Sequence, residues 1–223
     1  MTVPRLKPPV LKKLFPDFSR EYKLWGSGLR MVAGVDEVGR GAWAGPLFAA
    51  AVVFPPKVRL GTKLNDSKKL SPAKRVQLAD LVKEKALSWA IGSAGVDFIE
   101  SRGITAATQA AMRRALEGLK RKPEFVLVDY FKLNFWPEDR HRAVKFGDSL
   151  SASIAAASIL AKVARDKLMV GLAASHPNYG FESHKGYGTK GHREKIHQFG
   201  LCEIHRRSFI SEGHLKYNDE SQS

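Results

Sequence analysis

The 223-residue sequence predicts an α/β domain, a mixed central sheet flanked by helices with a C-terminal helical segment. Two observations predict it. Short Ala/Val-rich runs alternate with stretches of helical periodicity, in the order strands, helix, strand, helix, strands, helix. Hydrophobic residues make up 43% of the chain and charged residues 26%, a globular composition in a chain long enough for one sizeable core.

Each element has its own local reason. Met31 to Val35 is an apolar run closed by Asp36, and Leu47 to Phe54 is a second run stopped by Pro55 and Pro56. Together they read as buried strands joined through Gly39, Gly41 and Gly45. Ser71-Pro72 is a helix start, Ser as N-cap and Pro at the first helical position, and Val76, Ala79, Val82 and Ala86 carry the helical spacing to about Leu87. Trp89 to Val96 suits a third strand and residues 105–119 a second helix. Glu124 to Asp129 and Arg142 to Phe146 follow as strands, and Ser153 to Leu172 as a small-residue helix packed closely on its neighbour. A Gly/His/aromatic loop from His176 to Tyr187 precedes a helix near His192 to Phe199. The expected organisation is a basic N-terminal extension over residues 1–25, a catalytic domain over 26–210 and a flexible tail over 211–223.

Charge narrows the function. Lys and Arg exceed Asp and Glu, 37 to 22, giving a net charge of +15, so the expected partner is a polyanion, nucleic acid ahead of an anionic membrane. The longest nearly apolar stretch, Ala42 to Phe54, has 13 residues, too few to span a bilayer, and no basic amphipathic helix with an aromatic face stands out. Residues 1–30 lack the apolar block of a signal peptide. The single Cys202 excludes an internal disulfide and a cysteine-rich zinc site. The expectation is a monomeric cytoplasmic protein.

Against that basic background, Asp36 and Glu37, Asp129 and Asp148 are expected at the carboxyl ends of neighbouring strands, where open α/β sheets place their sites. Each alone reads as a turn residue or cap, Asp148 as a cap for the helix that follows. Converging, they are a set of hard oxygen donors suited to Mg²⁺ or Mn²⁺. Two such ions serve in-line phosphoryl displacement, and the basic surface would hold the polyanion. A glycosidase also uses paired carboxylates but has no need of the charge. The turn Gly39-Arg40-Gly41 lets the backbone approach a ligand, although it lacks the third glycine of a dinucleotide motif. Ser67, Lys68 and Lys69 precede a helix as a candidate phosphate contact. Tyr187, between Gly186 and Gly188, is a candidate stacking aromatic. The histidines at 184, 192, 197 and 205 form no zinc pattern, and most are expected at the surface or on phosphates.

Seven ordered blocks between about residues 24 and 210 resemble bacterial ribonuclease HII. They are Val35-Asp36-Glu37-Val38-Gly39-Arg40-Gly41 with Ala44-Gly45-Pro46; Asn65-Asp66-Ser67-Lys68-Lys69-Leu70-Ser71; and Val126-Leu127-Val128-Asp129. Lys145-Phe146-Gly147-Asp148 follows, then residues 155–166, His184-Lys185-Gly186-Tyr187-Gly188-Thr189, and His205-Arg206-Arg207-Ser208-Phe209. The resemblance implies a ribonuclease H-like fold and endonucleolytic cleavage of the RNA strand in RNA–DNA hybrids. It also implies incision 5′ of a single ribonucleotide in duplex DNA, leaving 3′-hydroxyl and 5′-phosphate ends, in the service of ribonucleotide removal from DNA. By the same resemblance Asp36, Glu37, Asp129 and Asp148 hold two divalent ions. The Gly39-Arg40-Gly41 turn reads the ribose 2′-OH, Tyr187 stacks on the neighbouring deoxyribose, and Asp166, His184 and Arg206 are accessory candidates. Three features depart from the family pattern: Tyr130 stands where many relatives have a small residue, Gly188 replaces a frequent proline, and Ala42-Trp43 fills the opening motif unusually. Two alternatives stay open, a binding protein of this fold without catalysis and a hybrid nuclease indifferent to single ribonucleotides.

Overall fold

The computed structural model describes residues 15–64, 67 and 70–211. The helices α1 (Ser19–Gly26), α2 (Pro72–Lys85), α3 (Val96–Glu117), α4 (Gly147–Leu150), α5 (Ala152–Ser175), α6 (Phe181–His184) and α7 (Lys190–Phe199) surround a five-stranded sheet. Its strands are β1 (Val32–Val38), β2 (Leu47–Val53), β3 (Ser88–Ala94), β4 (Phe125–Asp129) and β5 (His141–Val144), in the order β3-β2-β1-β4-β5. β1, β2 and β3 pair antiparallel, whereas β4 and β5 run parallel to β1, so the sheet is mixed as expected.

Strand alternation sends side chains to two cores. Val32, Ala50, Val52 and Leu127 pack with α2 and α5, and Ala33, Val35, Val126 and Val128 pack with α3. The approach of α5 is close because the sequence there is Ala155-Ala156-Ala157 and because β1 offers Gly34. A Cβ on Gly34 would lie 2.1 Å from the Ser153 carbonyl carbon of the α5 backbone. Gly34→Ala is therefore expected to cost about 3 kcal/mol in urea denaturation, since neither β1 nor the helix backbone can yield. A cost below about 1 kcal/mol would show a looser strand–helix contact than this one.

Local signals account for most boundaries. The Ser71 side chain accepts from the Lys74 N–H with Pro72 at the first turn, and the Thr189 hydroxyl caps α7 by accepting from the His192 N–H. Ser151, not Asp148, caps α5, accepting from the Ile154 N–H. Three boundaries differ from expectation. The third strand ends at Ala94, and helix begins at Val96, continuing past a kink at Gly103 with φ +79°. The fifth strand ends at Val144, so Asp148 stands on the single turn of α4 rather than at a strand end. The expected break at residue 25 meets α1, whose Trp25 lies in the core and whose buried Glu21 accepts from the Ser151 hydroxyl at 2.6 Å and the Ser153 N–H at 3.0 Å. Residues 19–26 are thereby tied to the start of α5. No helix among the described residues is long and apolar enough to cross a membrane.

Candidate active site

The sheet register brings the first acids together. β1 pairs with β2 as far as Val38↔Phe48, but its pairing with β4 ends at Val35↔Val128. The next residues in that parallel register are Asp36 and Asp129, both at positions of the α5-facing set. Asp36 is thus inside the strand, opposite Ala50, instead of closing it. Its Oδ1 accepts from the Glu37 N–H at 2.8 Å. It is also hydrogen-bonded by the Ser158 side chain, which in turn contacts the Ser67 hydroxyl at 3.0 Å. Asp129 Oδ1 accepts from the Gly147 N–H at 2.6 Å, which ties the end of β4 to the turn carrying Asp148. Glycine at 147 lets the turn sit this close, since a Cβ would lie 2.6 Å from Ile154 Cδ1 and 3.1 Å from Asp129 Oδ1 and would push on both.

Electrostatics show how tightly the four acids are gathered. Burial holds the Asp36 carboxyl well above the usual carboxylate range, and the negative fields of Glu37, Asp129 and Asp148 push it further. Asp36, Glu37 and Asp129 line one cleft of about 440 Å³ with Ser67, Ser158 and Tyr187. Arg75 and Lys162 also line it, but both are engaged by Asp166, at 3.2 and 2.8 Å. Crowded carboxylates that raise one another's proton affinity are relieved by a cation, and an all-oxygen set suits a hard divalent one. The residues fit such ions.

Beside the cleft, two buried arginines build the glycine turn. Arg165 donates to the carbonyls of Pro46 (3.0 Å), Lys185 (2.9 Å) and Ala44 (3.0 Å). Arg206 donates to Gly45 O through Nε and Nη2 (2.9 and 2.7 Å), and through Nη1 to Gly39 O (2.7 Å) and Arg40 O (3.1 Å). Gly39, at φ +86°, has Arg165 Nε 2.2 Å from where a Cβ would be, so this position admits glycine alone. The Trp43 and Ala44 N–H groups donate to Gly186 O, which sets Tyr187 alongside the turn with its ring 5.3 Å from the Arg165 guanidinium. Arg40 itself turns away, donating to the Thr108 hydroxyl at 3.3 Å and lying 4.6 Å over the Phe131 ring.

A family model described as Ribonuclease HII matches residues 33–212, which spans every acid and both arginines. The chain belongs to the ribonuclease HII family. A ribonuclease HII of Moorella thermoacetica is 48% identical over 192 residues, 86% of this chain and 92% of that protein. One of Paracoccus denitrificans is 48% identical over 198 residues, 87% and 92% of the two chains. Among solved structures, the ribonuclease HII of Archaeoglobus fulgidus, in complex with PCNA, superposes with a TM-score of 0.69 at 26% identity, covering 85% of this chain and 99% of that one.

Within this ribonuclease HII framework the remaining candidates divide. Lys68 and Lys69 lie outside the described residues. Ser67 and Asp166 are brought to the cleft, one through Ser158 and the other through Arg75 and Lys162. Arg206 holds the carbonyls of the turn itself, whereas His184 Nδ1 accepts from the Gly186 N–H next to Tyr187. Trp43 and Gly188 explain each other, since a Cβ at 188 would fall 2.4 Å from the Trp43 indole. Sequence reasoning gave no role to Ser158, Arg165 or Arg75. The signal for Arg165 is its place on the buried stripe of α5, at helical spacing from Ala161 and Met169.

The histidines correct the expectation of a surface role. His192 and His205 are buried, and His184 stacks on His192 with ring centroids 4.2 Å apart. The Cys202 N–H donates to His205 Nδ1, so the His205 proton sits on Nε2 and reaches His192 Nε2 at 3.1 Å; His192 Nδ1–H then donates to Tyr187 O at 3.0 Å. Burial pushes His192 down to about 3 and His205 to about 4. Both are neutral in the folded protein, while the unfolded chain takes up protons below about 6.5. The stability they contribute is complete above that value and is lost as pH falls toward 4. Thermal melts of Asp36→Asn, which removes the titration of Asp36, are expected to decline steadily from pH 6.5 to 4. A flat profile there would contradict neutral buried histidines.

Proposed function

We propose that this chain is a divalent-metal-dependent endoribonuclease that cleaves the RNA strand of RNA–DNA hybrids and incises duplex DNA 5′ of a single ribonucleotide. The observation that carries the reading is the convergence of four acids beside a turn whose backbone is fixed by two buried arginines. Asp36, Glu37, Asp129 and Asp148 would hold the ions. Bound Mg²⁺ or Mn²⁺ supplies a water of lowered pKa and charge neutralisation at the scissile phosphate.

The protein's own part is placement. Ser158 and the Gly147 N–H fix the orientation of Asp36 and Asp129, so both carboxylates meet the substrate without reorganising. The carbonyls of Gly39 and Arg40 are taken by Arg206, which leaves the N–H groups of the turn to face a ribose 2′-OH, the one group distinguishing RNA from DNA at a single nucleotide. Tyr187 would pack on the adjacent sugar. The surplus of +15 draws the duplex in, and a monomer acting on DNA in the cytoplasm completes the reading.

Asp148→Asn tests the reading directly. Turnover is expected to vanish while duplex binding, followed by fluorescence anisotropy, and the urea midpoint stay within about twofold and 1 kcal/mol of the parent. Loss of binding together with activity would make Asp148 a structural residue instead.

A further inference from the structure

The two most exposed large apolar side chains among the described residues, Tyr130 at 65% and Phe146 at 66%, flank the acids: one follows Asp129, the other precedes Gly147-Asp148. Both have left-handed backbone, φ +57°, a conformation that glycine adopts without strain and an aromatic residue rarely adopts. They stand at the same end of adjacent parallel strands, since Asp129 pairs with Val144 and the Tyr130 N–H donates to Val144 O at 3.0 Å. Neither backbone preference nor burial accounts for a ring at either place. Tyr130 meets Phe131 edge to face at 5.5 Å, and Lys145 Nζ lies 5.4 Å from the Phe146 ring, yet both rings stay largely exposed next to the residues that carry Asp129 and Asp148.

We propose that Tyr130 and Phe146 form a second substrate platform, packing against the sugars that flank the scissile phosphate. This rests on the nuclease reading above. Inside an intact duplex the base faces are covered by one another, so rings approaching from the side meet sugar edges in the minor groove, where the 2′-OH also lies. An uncharged aromatic contact adds affinity without releasing counterions, so it is insensitive to salt. Tyr130 and Phe146 are positioning residues, and the chemistry stays with the acids.

The test uses the whole protein with a DNA duplex carrying one ribonucleotide. Tyr130→Ala and Phe146→Ala are each expected to raise KM by roughly 5- to 10-fold with little change in kcat, the double variant more, and Tyr130→Phe to behave as the parent. In the Asp148→Asn background the duplex Kd should weaken in parallel, with the same slope of log Kd against log salt. A fall in kcat at unchanged KM would make the residues structural props for the acids and overturn the proposal. So would a double variant that binds as tightly as the parent. A rise in 2-aminopurine fluorescence beside the ribonucleotide on binding, lost in Phe146→Ala, would replace sugar packing with base opening. Failure of the parent protein itself to cut would fall on the nuclease reading, whereas a cutting parent with an indifferent double variant would sink the platform alone.

Discussion

Asp36→Asn is expected to abolish cleavage and at the same time to raise the melting temperature of the metal-free protein. The two effects have one origin. Asp36 is buried among Glu37, Asp129 and Asp148, and its carboxyl is held well above the usual range. A carboxyl whose folded pKa exceeds its unfolded value of 3.8 favours the folded state when protonated. The stability that Asp36 itself contributes is therefore greatest below 3.8 and is lost as pH rises through the window between that value and the raised one. Above that window the metal-free fold bears the full cost of the crowded charges. Asparagine keeps the shape and removes one of the charges, so the melt should shift upward by at least about 3 °C and lose this pH dependence. Catalysis depends on those same charges, and their removal should lower turnover on the order of 1,000-fold or more. Millimolar Mg²⁺ should stabilise the parent, by about 2.7 kcal/mol at a hundredfold excess over its Kd, and should stabilise Asp36→Asn far less. A variant that melts lower than the parent without metal would show that Asp36 contributes to the fold by hydrogen bonding more than it costs in repulsion.

Arg206→Met is expected to be the most damaging substitution outside the acids. The side chain is fully buried and its guanidinium reaches three carbonyl groups, those of Gly39, Arg40 and Gly45. Burial and the neighbouring Arg165 push it down to about 9, so it remains charged at neutral pH. Methionine fills much the same volume and satisfies none of those carbonyls. Hydrogen bonds to charged groups contribute about 1.5–3 kcal/mol each, and relief of the buried charge offsets part of the loss, leaving a net cost of about 3 kcal/mol. The turn that Arg206 holds would shift, and a displacement near 1 Å costs about 100-fold in rate. Arg206→Lys should not rescue it, because a single ammonium cannot span the carbonyls the planar fork reaches. Wild-type activity and stability in Arg206→Met would mean that Arg165 alone suffices to fix the turn.

The order of elements and the four acids were legible because they rest on local chemistry. Ser71-Pro72 starts a helix by itself, and Leu47 to Val53 is too apolar to be anything but a buried strand. The acids stood out because carboxylates at the edge of apolar strands need a reason in a chain of +15 charge. What stayed hidden depends on partners far away in the chain. Helix α1 reads as a polar arm until Phe18 and Trp25 stack at 5.8 Å and Phe18 meets Phe54 at 5.4 Å. The roles of Arg165 and Arg206 follow from carbonyls that converge only when residues 39–46 fold over α5. The histidines read as surface groups because their spacing matches no motif; their order comes from stacking and from the Tyr187 carbonyl, which accepts from His192 as well as from the Thr189 N–H.

The most direct measurement uses an end-labelled DNA duplex containing one ribonucleotide, incubated with Mg²⁺, Mn²⁺ or EDTA beside an all-DNA duplex and an RNA–DNA hybrid. The expected result is a single cut on the 5′ side of the ribonucleotide, cleavage of the hybrid and no cleavage of DNA, all dependent on metal. Cutting of the hybrid alone would retain the acids and contradict the roles given to the glycine turn and Tyr187. Tight duplex binding with no cut in any lane would contradict the account as a whole.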